Sequence, residues 1–213
     1  MLNSKILRDF SYGVYVVGTV DGDRNVGCVA NSVMQITSNK IAISIHHDNY
    51  TNGCIKASSK FSVSVLSEQV DPSIIGTFGY QSSKDCDKYS DVSYKLIEGM
   101  PVLDDSCGYL VCNVVDIMET ETHTIFLGEI VACDRYEGKP MTYAYYHEVL
   151  KGKSPKNAPT YEADEEVVEK PKKNVFVCTV CGYKVEIDGD ELPDDYRCPI
   201  CGKGKEFFKK LES

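Results

Sequence analysis

A chain of 213 residues that is 42% hydrophobic and 26% charged can build one large domain, or a medium one plus a small one. Its net charge of -9 works against binding a nucleic-acid backbone, which calls for clustered Lys and Arg, and fits a soluble protein that meets a basic partner. Met1-Leu2-Asn3-Ser4-Lys5 runs into Arg8 and Asp9 with no basic-then-apolar leader, and the apolar runs are short, so a cytoplasmic location without membrane insertion is expected.

In chain order, residues 11–20 are apolar and β-branched and read as a strand, with Asp21-Gly22 supplying a tight turn. Further strands are expected over 26–37 and over 40–47, where Ile41, Ile43 and Ile45 alternate. A helix begins near Thr51 and ends by Ser59, and a strand follows over 61–66. Asp71 before Pro72 marks a second helix, the acid as cap and the proline where a missing N–H costs nothing. Strands are expected again over 109–117, 122–133 and 141–146. Short, evenly spaced strands with turn signals point to a mainly β barrel with a few helices, not to a parallel sheet.

Residues 151–161 carry Lys, Pro and Gly without apolar period, and Glu162-Ala163-Asp164-Glu165-Glu166 gives way to Lys170-Pro171-Lys172-Lys173. Such a solvated, sign-switching stretch reads as a linker. The expected organisation is a domain over 1–160, a linker over 161–173 and a small module over 174–213. A module of that size buries too little surface to fold on its core alone and needs a staple.

The cysteines supply one. Of the ten, Cys28, Cys54, Cys86, Cys107, Cys112 and Cys133 are scattered and read as reduced, small apolar residues, since disulfides belong to oxidising compartments. The other four form Cys178-x-x-Cys181-Gly182-Tyr183 and Cys198-Pro199-x-Cys201-Gly202. Two intervening residues let one tight turn aim both sulfurs at a single ion, and the following glycine turns backbone N–H groups toward them. Four thiolates in a tetrahedron suit iron or zinc, and the spacing does not choose between them. The segment from Asn174 onward resembles the rubredoxins. The likeness lies in Val177-Cys178-Thr179-Val180-Cys181-Gly182-Tyr183, in Leu192-Pro193-Asp194-Asp195-Tyr196, and in Cys198-Pro199-Ile200-Cys201-Gly202 with Phe207 and Phe208 beyond. It departs in a shorter loop between the pairs and in Tyr196, where the family usually has Trp. The resemblance implies one iron ion (Fe2+/Fe3+) on Cys178, Cys181, Cys198 and Cys201, carrying one electron at a time.

In the large domain, the small and hydroxyl residues over 30–38 allow close backbone approach to a flat ring. Asn49-Tyr50-Thr51 leads into the expected helix, whose free N–H groups and dipole favour a phosphate. Read alone, Thr37-Ser38-Asn39 is equally a hairpin turn and Asn49-Tyr50-Thr51 equally a helix cap. With Phe61-Ser62-Val63-Ser64-Val65-Leu66, Gly76-Thr77-Phe78-Gly79, Gly99-Met100-Pro101-Val102-Leu103 and Thr122-His123-Thr124-Ile125-Phe126-Leu127-Gly128, these blocks resemble the flavin reductase-like family. That family has an FMN-binding split barrel that usually dimerises. The resemblance implies FMN, with Asn31, Ser32 and Gln35 near its ring, Val33 in the same binding set, and Thr37 and Ser38 on the ribityl–phosphate side. His47, Asn49, Tyr50 and Thr51 would serve the phosphate, and His123 would act catalytically by positioning the nicotinamide. No G-x-G-x-x-G motif is present, so NAD(P)H would dock without a Rossmann domain.

Fused, the two modules resemble the high-molecular-weight rubredoxins. That resemblance implies a homodimeric oxidoreductase that takes hydride from NAD(P)H onto the flavin and relays single electrons through the iron. A flavodiiron protein that reduces oxygen or nitric oxide would be the acceptor. Two rivals stay open: a carrier reduced by another protein, and a zinc-ribbon binding module on a flavin-binding barrel.

Overall fold

The apolar alternation of the first half folds as one continuous antiparallel ladder. In the computed structural model, which describes residues 6, 9–150, 158–160, 174–187 and 191–210, it begins with β1 (Tyr15–Asp21), β2 (Arg24–Ala30), β3 (Val33–Gln35) and β4 (Lys40–His46). Helix α1 (Tyr50–Ser58), β5 (Lys60–Val65) and α2 (Pro72–Tyr80) follow, then the hairpin of β6 (Tyr94–Ile97) and β7 (Met100–Leu103). Two long strands, β8 (Gly108–Glu119) and β9 (His123–Arg135), precede α3 (Tyr143–Glu148). The expected linker over 161–173 lies outside the described residues. The chain divides into two compact units, Met1–Glu162 and Ala163–Ser213.

The seven-stranded sheet of the first unit runs β2-β1-β5-β8-β9-β4-β3. Its two edges, β2 and β3, are consecutive in sequence and joined only by Asn31 and Ser32. The sheet must therefore curl until one edge lies two residues of chain from the other, which makes a barrel split between β2 and β3. Inward residues fill it: Val17, Cys28, Ile41, Ile43, Ile45, Phe61, Val63, Cys112 and Phe126, with Ile55 of α1 as a plug. A second cluster packs Ile74, Ile75 and Phe78 of α2 against Val14, Val16, Leu66, Leu103 and Met141. Gly18 and Gly27 are paired across β1 and β2, and a Cβ on either would come within 2.8 Å of the Tyr89 hydroxyl. The missing side chains are what admit the Tyr89 ring. Beside it, Lys88 is 3% exposed and donates to the carbonyls of Gly27 (2.9 Å) and Phe78 (3.2 Å), and burial pulls its ammonium below the usual range.

Asp71 caps α2 as expected, accepting from the Ser73 N–H at 2.8 Å. Three expectations are corrected. The strand over 26–37 breaks at Asn31-Ser32, where the chain leaves one sheet edge for the other. The strand over 141–146 is instead α3, started by the Thr142 hydroxyl capping the Tyr145 N–H; Tyr143, Tyr146 and His147 share one helical face. The β6–β7 hairpin was not expected as strands; its Met100 and Val102 bury against Val111. Among the described residues, no helix is long and apolar enough to cross a membrane.

The second unit is a three-stranded sheet, ordered β11-β10-β12, of β10 (Asn174–Cys178), β11 (Lys184–Ile187) and β12 (Phe208–Lys210). Among its described residues, Phe176 and Leu192 are the buried side chains besides Cys178 and Cys198. Tyr196 packs edge-on against Phe208 with ring centroids 5.3 Å apart.

Candidate functional site

Two turns of the same build present the cysteines. After β10, Gly182 (φ 76°) sends its N–H to the Cys178 carbonyl at 2.9 Å; in the second turn, Gly202 (φ 69°) does the same to Cys198 at 2.8 Å. Only a residue without Cβ takes that left-handed turn cheaply. Backbone N–H groups consequently point at sulfur: those of Val180 and Cys181 at Cys178, Tyr183 at Cys181, Ile200 and Cys201 at Cys198, and Lys203 at Cys201. All four Sγ atoms lie within 4.8 Å of one another, with Cys178–Cys201 at 3.7 Å and Cys181–Cys198 at 3.4 Å. Metal–sulfur bonds of about 2.3 Å in a tetrahedron require sulfur–sulfur edges of about 3.8 Å, so this donor set fits one ion. Burial opposes ionisation of Cys198, yet hydrogen bonds from the Cys201 and Ile200 N–H groups and from the Cys181 and Cys201 thiols together outweigh it and hold the thiol down at about 7. Cys178 and Cys198 are buried, whereas Cys181 is exposed, and the apolar Val180 and Ile200 stand out beside the site at 53% and 69% exposure.

In the barrel, the expected flavin residues fall into two groups at opposite ends of β4, separated by roughly 20 Å of strand. At the Lys40 end, Gln35, Thr37 and Ser38 are exposed in the β3–β4 turn, where the Gln35 amide donates to the Thr37 carbonyl at 3.0 Å and the Thr37 hydroxyl to Asn39 Oδ1 at 3.0 Å. Val33, half-buried, pairs with Ile43. At the His46 end, Asn31 is 3% exposed and accepts from the Ser32 hydroxyl at 3.2 Å. His123 pairs in register with His46, and their rings meet edge-to-face at 4.9 Å.

Nearby, Asn49 caps α1, its side-chain oxygen accepting from the Thr51 N–H at 3.1 Å. The Thr51 side chain is fully buried, against the Cys28 thiol. Tyr50 donates its phenol to Asp21 at 2.7 Å and stacks on Arg24, whose guanidinium lies 5.6 Å from the ring. His47 Nε2 faces Glu119 at 3.0 Å, a carboxyl held below its usual range by hydrogen bonds from Lys56 and Thr124. The chain thus collects Asn31, Ser32, His46, His123 and the start of α1 at one end of the barrel. Asn31 and Ser32 belong to no strand and form the crossing between the two sheet edges at this end.

Three contributors to this end were not visible in the sequence. His46 closes a strand and has no local signal that marks it as a partner of His123. Tyr143 lay inside an expected strand, and Thr160 lay at the end of the expected large domain, with no role assigned. The Thr160 hydroxyl accepts from the Asn31 amide at 2.9 Å and donates to the Tyr143 hydroxyl at 2.8 Å.

Residues 7–153 match the model of the flavin reductase like domain, and residues 176–209 that of the rubrerythrin, rubredoxin-like domain. The chain is 39% identical to the high molecular weight rubredoxin of Moorella thermoacetica, over 99% of this chain and 100% of that protein. It is 36% identical to a ferric-chelate reductase (NAD(P)H) of Archaeoglobus fulgidus, over 71% of this chain and 92% of that one. Among solved structures, the NADH:FAD oxidoreductase SgcE6 of Streptomyces globisporus C-1027 superposes with a TM-score of 0.57 at 27% identity, covering 62% of this chain and 80% of that one.

Proposed function

This chain belongs to the flavin reductase-like family, in the form fused to a rubredoxin-like domain, and we propose that it carries electrons from NAD(P)H through FMN to iron on Cys178, Cys181, Cys198 and Cys201, and on to an acceptor protein. The observation that carries the proposal is a four-thiolate site of single-ion size on the same chain as a flavin reductase-like barrel. When bound, FMN supplies acceptance of a hydride and release of single electrons, and the iron supplies one-electron transfer.

The residues divide the work. Asn31 and Ser32 hold the ring edge at the barrel split, with Val33 and Gln35 beyond. Thr37 and Ser38, at the far end of β4, serve the ribityl–phosphate side, and His47, Asn49, Tyr50 and Thr51, at the same end as Asn31, are assigned to the phosphate. His123, braced by His46 and by the Thr122 hydroxyl 2.8 Å from its Nδ1, positions the nicotinamide. In the small unit, N–H groups aimed at sulfur stabilise the more negative, reduced state of the site. The exposed Cys181 edge gives electrons a short way out. The nicotinamide donors of the ferric-chelate reductase and of the NADH:FAD oxidoreductase support the nicotinamide donor proposed here. On this proposal the acceptor is a flavodiiron protein, met in transient encounters by a module with six basic and eight acidic side chains over 174–213. A cytoplasmic setting suits ten cysteines that all lie unbridged.

Adding NADH anoxically to the FMN- and iron-loaded protein is expected to bleach the flavin band, with the ferric–thiolate band following it. If both cofactors are present and neither NADH nor NADPH bleaches them, the chain is a carrier reduced by another protein. Zinc in place of iron after expression with ample iron would favour the zinc-ribbon alternative.

The protein acts as a homodimer on the same proposal. Met34, Val115, Ile117 and Met118 on the β3 and β8 sides of the sheet remain 41–61% exposed, the kind of apolar surface that a second copy covers. Ile117→Glu is expected to shift the sedimentation of the protein from dimer to monomer; unchanged sedimentation would place the dimer contact elsewhere.

A further inference from the structure

The barrel's own strands end well before residue 160, yet Thr160 is tied back to the split. Its hydroxyl sits between two partners far apart in sequence, accepting from Asn31 Nδ2 at 2.9 Å and donating to the Tyr143 hydroxyl at 2.8 Å. A carboxamide has two nearly isosteric ends, and only its hydrogen-bond partners decide which way round it stands. Here both ends are fixed, because Asn31 Oδ1 accepts from Ser32 while Nδ2 donates to Thr160. Tyr143 is itself braced. Its N–H donates to the Tyr12 carbonyl at 2.8 Å, and its ring meets that of His147 at 4.3 Å.

We propose that Thr160 is a positioning residue of the flavin site: with Tyr143 behind it, it locks the Asn31 carboxamide in one orientation, leaving the second N–H of Asn31 to face the flavin ring. The proposal deepens the flavin reading of Asn31 and rests on it. It also means that the segment leading toward the iron-binding unit starts from the flavin site itself, since Thr160 stands immediately before residue 161.

The test uses the full-length chain with its iron in place, stripped of flavin and titrated with FMN. T160V keeps the shape of threonine and deletes the hydroxyl, and it is expected to weaken FMN binding about ten-fold and to shift the flavin midpoint potential. T160S restores the hydroxyl and is expected to stay within about two-fold of the unaltered protein. N31A is the control that separates the two layers. If N31A weakens FMN binding and T160V does not, Thr160 has no positioning role. If N31A itself leaves FMN binding unchanged, Asn31 does not touch the flavin and the inference falls with that reading. If T160S is as defective as T160V, the effect belongs to packing and not to the hydroxyl, and the proposal is equally overturned.

Discussion

Cys198→Ala is expected to empty the iron site and unfold the C-terminal unit, while the barrel stays folded and still takes up flavin. The reason is the size of the apolar core beneath the site. Besides the cysteines, Phe176 and Leu192 are the buried side chains of that unit among the described residues. Each contributes about 1.5–3 kcal/mol on burial, whereas ordering a residue's backbone costs about 1–2 kcal/mol. Two side chains cannot order a unit of this length, so the ion supplies the deficit. Apparent binding energies of about 10–16 kcal/mol at comparable thiolate-rich structural zinc sites set the scale. Removing Cys198 withdraws a buried ligand that two backbone N–H groups prepare for ionisation. Iron analysis, the ferric–thiolate band and amide exchange would follow the result together. Protected amides in β10–β12 of an iron-free variant would show that the unit holds itself together without metal.

Phe126→Ala is expected to strike the other unit, lowering the barrel's stability by about 3–5 kcal/mol. Phe126 is fully buried, pairs with Ile43 on one side and Ile117 on the other, and belongs to the cluster that contains Phe61. The barrel wall is a hydrogen-bonded ladder that cannot collapse around a lost ring, so the cavity persists. At about 2–4 °C per kcal/mol for a domain of this size, the thermal midpoint should fall by about 10 °C. The iron unit should report no change, since its stability has a different source. A loss below about 1 kcal/mol would mean that the barrel interior repacks freely.

The parts of this architecture that sequence made legible were those determined within a few residues. The paired C-x-x-C-G turns, the Ile41, Ile43, Ile45 alternation and the Asp71-Pro72 helix start each carry their instruction locally. What was hidden depends on distant partners. The apolar pattern continues past Asn31-Ser32, and only barrel closure shows that the chain changes edges there. Residues 141–146 alternate well enough to pass for a strand, and the Thr142 cap decides for helix. β6 is mostly exposed, so it lacks a buried period to read. Thr160 meets Asn31 across 129 positions, a relation that no local pattern encodes.

The way β2 passes into β3 also orders events during folding. β1, β2 and the turn between them can pair as soon as they are made, because their contacts are close in sequence. β3 and β4 likewise form a local hairpin, but that hairpin joins the sheet only when β4 finds β9, a pairing that brings His46 to His123 across most of the barrel's sequence. Contacts of such separation form late, since the loop they close must be ordered before they reward it. The Asn31-Ser32 crossing therefore acquires its shape at the final step of barrel assembly. A ligand held there arrives at a finished scaffold and acts as a clasp on the closed state, slowing its reopening without having guided its formation.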